Sequence, residues 1–225
     1  MKIAFFKYIT IVSFIMAVFA GSAIAAPQLL VFKHMEKISH TTVYSEIPID
    51  RAAMLSILAK ADQRVQSSPL YAGPVGTRIF MTNGGWRWRL LSLNNTAAVG
   101  MTRLSSDLVS DAVLINNPDL KADSVSNGRK IGGMRSLSGV IAHERTHIMV
   151  RKFLGPLANF MLPQWKAEGY ADYVAGDGSL TGEQVAQLRR EGKWDPAIPY
   201  YDGRVRVAKI LASNGNDVAA LLKAD

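Results

Sequence analysis

The sequence contains no cysteine. That absence excludes disulfides as a source of stability, and it excludes any zinc site built on thiolates. Histidine is scarce too, with four in 225 residues. A metal site in this chain has to combine imidazole with carboxylate, the ligand mix of catalytic rather than structural zinc. Lys and Arg are plentiful but scattered, with pairs at Arg151/Lys152 and Arg189/Arg190 and no longer run. Nucleic acid is therefore not an expected partner. There is no internal repeat and no low-complexity segment. Charged residues at 20% beside hydrophobic ones at 48% are a globular balance, and the length suits one domain with a real apolar core.

Long apolar runs are also missing, except at the start. MKIAFFKYITIVSFIMAVFAGSAIAAP has Lys2 and Lys7 in front, an apolar stretch over residues 8–20, and small residues at Ala23 and Ala25. This is the layout of a secretory signal, with cleavage expected after Ala25; the stretch is short for a membrane span, and an uncleaved anchor is the alternative. Residues 26–225 are then expected to form a single domain outside the cytoplasm, periplasmic or secreted. The formal charge of +8 becomes +6 when Lys2 and Lys7 leave with the signal. That charge allows peripheral contact with an anionic envelope surface, or is a solvated basic exterior with no partner.

Hydrophobic periodicity predicts sheet first and helices after. LLVF and TTVYSEIPI read as strands of a hairpin around the polar KHMEKISH. Asp50 reads as the N-cap of an amphipathic helix ending near Gln66. TRIFMT, WRWRLL, TAAVGMTRL from Thr96 and DAVLINN read as short strands of a mixed or mostly antiparallel sheet, with TAAVGM as a candidate edge near Val99 and Gly100. Residues 116–133 read as a loop. From Met134 onward a long buried helix is expected, then a helix from Gln164 to Val174 closed by Gly176, one around Gly182 to Arg190, the connector DPAIPYY, and helices over Val205 to Ala212 and Asp217 to Lys223.

What is present is concentrated in IAHERTHIM, residues 141–149. On a helix His143 and His147 are four apart and share a face, so both imidazoles can reach one tetrahedral ion. Glu144, one position round, falls outside the ligand set but stays close enough to deprotonate a water at the open position. With four His and six Glu in the chain, a shuffled sequence contains this HExxH pattern only about 0.002 times. A downstream carboxylate is the natural third ligand, and Glu168, on its own predicted helix, either supplies it or is an exposed helical glutamate. Gly169 and Ala171 would let that helix approach the first closely. Asp172, on the same face as Glu168, either accepts the free N–H of a metal-bound histidine or is a surface aspartate. His34 and His40 have no motif around them.

HERTH followed by WKAEGYADYVAG resembles the gluzincin metallopeptidases, most closely the bacterial peptidase-MA-like group, in which HExxH precedes a WxxEGxA helix. Trp165, Glu168, Gly169 and Ala171 match that pattern, and the resemblance covers roughly Leu137 to Gly176. It implies an α+β, zincin-like fold, Zn²⁺ held by His143, His147 and Glu168, Glu144 as general base and acid, Asp172 behind a ligand, and a peptide or protein substrate lying along an edge strand. It also implies a tyrosine as donor to the oxyanion, and the spacing to Leu211 selects Tyr201, unless that ring only packs. Families with ExxAD on the third-ligand helix fit Glu168 and Asp172 too, but have longer spacing and a multi-helix membrane body that this chain lacks. The expectation is an exported zinc metallopeptidase. Its rivals are a non-catalytic envelope protein with a structural zinc site and a peptidoglycan-directed hydrolase.

Overall fold

Three apolar segments build the centre of the molecule: TTVYS, TRIFMT and AVLIN alternate sides of a sheet, so each must be covered on both faces. The computed structural model of the chain describes residues 2–95, 97–103 and 111–223. In it these segments are β2 (Thr41–Ser45), β3 (Thr77–Thr82) and β5 (Ala112–Asn116), flanked by β1 (His34–Ile38) and β4 (Gly100–Arg103). The sheet order is β1-β2-β3-β5-β4, parallel through β2, β3 and β5 and antiparallel at both ends. A smaller antiparallel sheet joins β6 (Pro118–Asp119), β7 (Ser124–Ser126) and β8 (Met134–Ser136).

One face of the main sheet, with Val43, Ile79, Met81, Val113 and Ile115, packs on α2 (Arg51–Gln66) and α4 (Leu137–Leu154). The other, with Phe80, Ala112 and Leu114, is covered by Trp88 and Leu91 of α3 (Trp86–Leu91), by Leu30 of a 3-10 turn (Pro27–Leu30) and by Ala23 near the end of α1 (Lys2–Ala25). The chain is thus α+β, with helices α5 (Pro156–Met161), α6 (Gln164–Ala175), α7 (Gly182–Arg190), α8 (Ile198–Ser213) and α9 (Val218–Lys223) following the strands. Among the described residues no helix is long and apolar enough to cross a membrane.

Several segments differ from expectation for physical reasons. WRWRLL is helix rather than strand: its W-R-W-R alternation suggests period two, yet the buried pair is Trp88 and Leu91, three apart, behind an N-cap at Gly85. LLVF is not a strand either, and the polar HMEKI is β1. An edge strand pairs on one side only, so polar residues cost it little there. The expected loop at 116–133 holds β6 and β7, and Met134–Ser136 is β8, so the long helix begins at Leu137. DPAIPYY is not all connector: α8 begins at Ile198 with Pro199 in its first turn, where the missing N–H is harmless. The strand expected from Thr96 is shorter, Gly100–Arg103, and Thr96 and Leu104 lie outside the described residues.

Helix α4 is fixed at its start with unusual completeness. Ser136 Oγ accepts the Gly139 N–H at 3.0 Å, and Asp123 takes the Ser138 N–H at 2.8 Å and the Leu137 N–H on its carbonyl at 3.0 Å. Lys60 in turn holds Asp123 at 2.9 Å. At the opposite end Gly155 turns the chain at φ 81°, which suits glycine, and α5 doubles back. Helix α6 then lies against α4 on one side and α8 on the other.

Candidate metal centre

The i, i+4 spacing on α4 does bring His143 and His147 together: their Nε2 atoms are 3.0 Å apart. Glu168 Oε2, on α6, lies 3.2 Å from His143 Nε2 and 3.6 Å from His147 Nε2. The circle through these three atoms has a radius of about 1.9 Å. A point about 2.05 Å from each, a normal zinc–ligand length, therefore lies about 0.75 Å out of their plane. A regular tetrahedron places its centre above its base by one third of the bond length, about 0.7 Å, so the spacing of the three atoms matches the base of a tetrahedral site. Among the described residues this is the group of three with metal-ligand geometry.

The donor set fits a borderline divalent cation such as zinc. His143 presents Nε2 because its Nδ1 is engaged by Asp172 Oδ1 at 2.7 Å, which accepts the ring proton and fixes the tautomer. Asp172 is buried and is itself held by Arg135 Nη2 at 2.9 Å. Arg135 also donates to Asp177 Oδ1 at 3.0 Å, and Ser136, the N-cap of α4, donates to Asp177 Oδ2 at 2.5 Å. The start of α4 and the end of α6 are thus cross-braced through one buried guanidinium. Neither Arg135 nor Asp177 carried a sequence signal, because both act across long sequence separations.

Electrostatics match this geometry. Burial alone would lower the His143 pKa, but hydrogen bonds to Asp172 and Glu168 outweigh it and push it up to about 10. Burial alone would raise both carboxylates. The two histidines nevertheless hold Glu168 far below the usual range, and His143 with Arg135 holds Asp172 below it as well. Both acids are anions throughout neutral pH, the form a cation needs on one side and an imidazole N–H needs on the other.

Glu144 lies beside the triangle rather than in it. Thr102 Oγ1 on β4 donates to Glu144 Oε2 at 2.6 Å, a contact that sequence reasoning missed. Gly100, two residues earlier on the same face of β4, has no side chain for a reason: a Cβ there would fall 2.4 Å from Val140 Cγ1 and 3.0 Å from Glu144 Oε1. Strand β4 is an edge of the sheet. Val99 accepts a hydrogen bond from Asn116 of the β5 strand, so antiparallel alternation turns the backbone groups of Gly100 and Thr102 to the open edge.

That edge borders a cavity of about 620 Å³ lined by His143, Glu144, His147, Glu168, Thr102 and Tyr200, among others. The tyrosine on the cavity is Tyr200. Tyr201, selected by spacing, packs instead with Leu180, Val185 and Leu188, and its hydroxyl sits against Gly182. Burial, then the Glu168 charge, pushes the Tyr200 hydroxyl up, so it keeps its proton and remains a donor. His34 and His40 do not line the cavity; His40 pairs with Asp62 at 3.6 Å.

Gly169 also departs from expectation. It serves contact with α8, not α4: a Cβ on Gly169 would lie 2.5 Å from the Gly203 carbonyl carbon, and one on Gly203 would lie 2.8 Å from the Trp165 oxygen. Trp165 itself lies under the Arg206 guanidinium, 3.7 Å from the ring centre. Comparison of the chain with family models, with curated proteins and with solved structures finds no match.

Proposed function

We propose that the protein is a zinc-dependent peptidase of zincin-like fold, acting outside the cytoplasm and related to the peptidase-MA-like gluzincins. One observation carries this reading. Two imidazoles and a carboxylate converge within reach of one cation on the wall of a cavity, with a further carboxylate, Glu144, lining the same cavity. Among the described residues the group has three members, which suits a catalytic zinc site with one position left for water better than a closed structural one.

A divalent cation at this centre supplies the Lewis acid that polarises a scissile carbonyl and acidifies water. The chain's own groups do the rest. A peptide pairing with the free edge of β4 places its backbone against Gly100 and Thr102. Glu144 takes the proton of the attacking water and returns it to the leaving amine. Thr102 holds one oxygen of that carboxylate, which orients the other. Tyr200 donates its hydroxyl proton in a hydrogen bond to the oxygen that becomes negative. Asp172 keeps the His143 ring in the tautomer whose Nε2 lone pair points inward.

The test is Glu144→Gln. This variant should bind one zinc per chain by elemental analysis and lose peptide hydrolysis by a factor of about 10²–10⁴. Unchanged turnover removes the mechanism. Absence of zinc from the purified parent chain removes the reading altogether, and zinc whose chelation unfolds the chain without any cleavage to lose marks a structural ion instead.

A further inference from the structure

Two arginines line the cavity beside Glu144 and Glu168: Arg135, already braced to Asp172 behind the metal centre, and Arg129, on the loop that meets the chain entering β4. Its loop is pinned to that stretch: Asn127 Nδ2 donates to the Ala97 carbonyl at 2.6 Å, and the Arg129 N–H donates to Asn127 Oδ1 at 3.1 Å. The guanidinium is held from behind, its Nη2 donating to Asp195 Oδ2. Asp195 is buried, and its other oxygen accepts the Ala197 N–H at 2.8 Å, so the acceptor cannot swing away. A guanidinium carries five N–H donors in a fixed fork. One goes to Asp195, the side chain is 38% exposed, and the residue lines the cavity.

Strand direction says what meets that fork. A peptide adding to β4 makes its better hydrogen bonds antiparallel. Gly100, where β4 begins, lies beside Glu144, and Ala97 precedes it by three residues of bent chain, at most about 10 Å away. The antiparallel peptide then runs its C-terminal side from the reacting bond toward Ala97 and Asn127. We propose that Arg129 is a carboxylate-binding subsite for the leaving-amine side of the substrate, two or three residues beyond the cleaved bond. The carboxylate comes either from the peptide's C-terminus or from an acidic side chain. The proposal rests on the peptidase reading for the position of the reacting bond, but binding tests it without turnover.

The experiment uses the full zinc-loaded chain carrying Glu144→Gln and four N-terminally labelled hexapeptides, read by fluorescence anisotropy. One ends in a free carboxylate and one in an amide, and two further amides carry Glu or Gln near the C-terminus. At least one carboxylate-bearing peptide should bind about tenfold tighter than its neutral counterpart, as a charge-assisted contact does; which pair shows the gap identifies the source. Adding Arg129→Gln should bring that ratio close to one. Because Arg129→Gln alone strands Asp195 in the interior, Arg129→Gln with Asp195→Asn is measured beside it, with a thermal melt to establish folding. Equal binding of acid and neutral peptides, no binding of any peptide, or a preference that survives the double substitution overturns the subsite. Turnover by the parent chain is scored separately: acid preference without cleavage sinks the peptidase reading alone, and cleavage without acid preference sinks the subsite alone.

Discussion

Arg145 and His147 sit two residues apart on one helix and face opposite kinds of environment. Arg145 is fully buried on the side turned to α2 and the sheet. There it donates to Asp62 at 2.6 Å and to the Thr41 hydroxyl at 2.7 Å, so charge meets charge and donor meets acceptor. His147 faces His143 and Glu168, where three potential ligand atoms crowd within 3.6 Å of one another and, without a cation, are held together by the His143 proton. The first arrangement needs no ligand to balance its charge, although Arg145 Nε is left without a hydrogen-bond partner. The second is satisfied only by protons or by a cation. The contrast teaches that burial of polar groups alone does not mark a site; convergence of like electronic character does.

Substitution can break this contrast or sharpen it. Arg145→Ala should destabilise the chain by about 3 kcal/mol in urea unfolding, since it strands Asp62 and two buried hydroxyls. The metal-free chain with His147→Ala should lose less than about 1 kcal/mol, because removing one of three crowded acceptors takes little from the fold. Equal losses would make the cluster a structural network like its neighbour. Next in size, Asp172→Asn should weaken zinc binding by about 10- to 100-fold in competition with a chelating dye, because an amide can present N–H to His143 and favour the wrong tautomer. An effect under threefold would reduce Asp172 to a brace for Arg135.

A pH dependence sharpens the same contrast. His143 has its folded pKa raised from 6.5 to about 10, so in the metal-free chain its proton stabilises the fold fully below about pH 6.5 and that contribution is lost as pH rises through about 10. Zinc must displace the same proton. Its affinity should therefore tighten about tenfold per unit between pH 6 and 8, where a flat profile would show that His143 is already neutral.

Much of this was legible in the sequence, and the residues show why. Helices α2, α4 and α6 declare themselves through periodicity and through ends that follow elementary chemistry: Asp50 accepts the Ala53 N–H at 3.0 Å, and Gly176 closes α6 in the left-handed region. The pair His143 and His147 is legible because it is local. Glu168 and Asp172 follow because four residues separate them on one helix and a two-histidine site lacks a ligand. Thr102, Arg135 and Arg129 were not legible. Each reaches the cavity through pairing of distant segments, which no local period encodes. Tyr200 lost to Tyr201 because one residue is 100° of helix, and the register of α8 is set by its packing on α6 rather than by spacing to Leu211.

The contact between Gly169 and Gly203 has a mechanical consequence. It leaves two backbones touching with no side chains between them, so a larger residue at either position would have to shift the helix that carries Glu168 or the one that carries Tyr200. Such a shift would strain the Glu168 corner of the triangle while the histidine pair, both on α4, stayed whole. The spacing of the three groups can therefore be altered from two glycines that do not line the cavity.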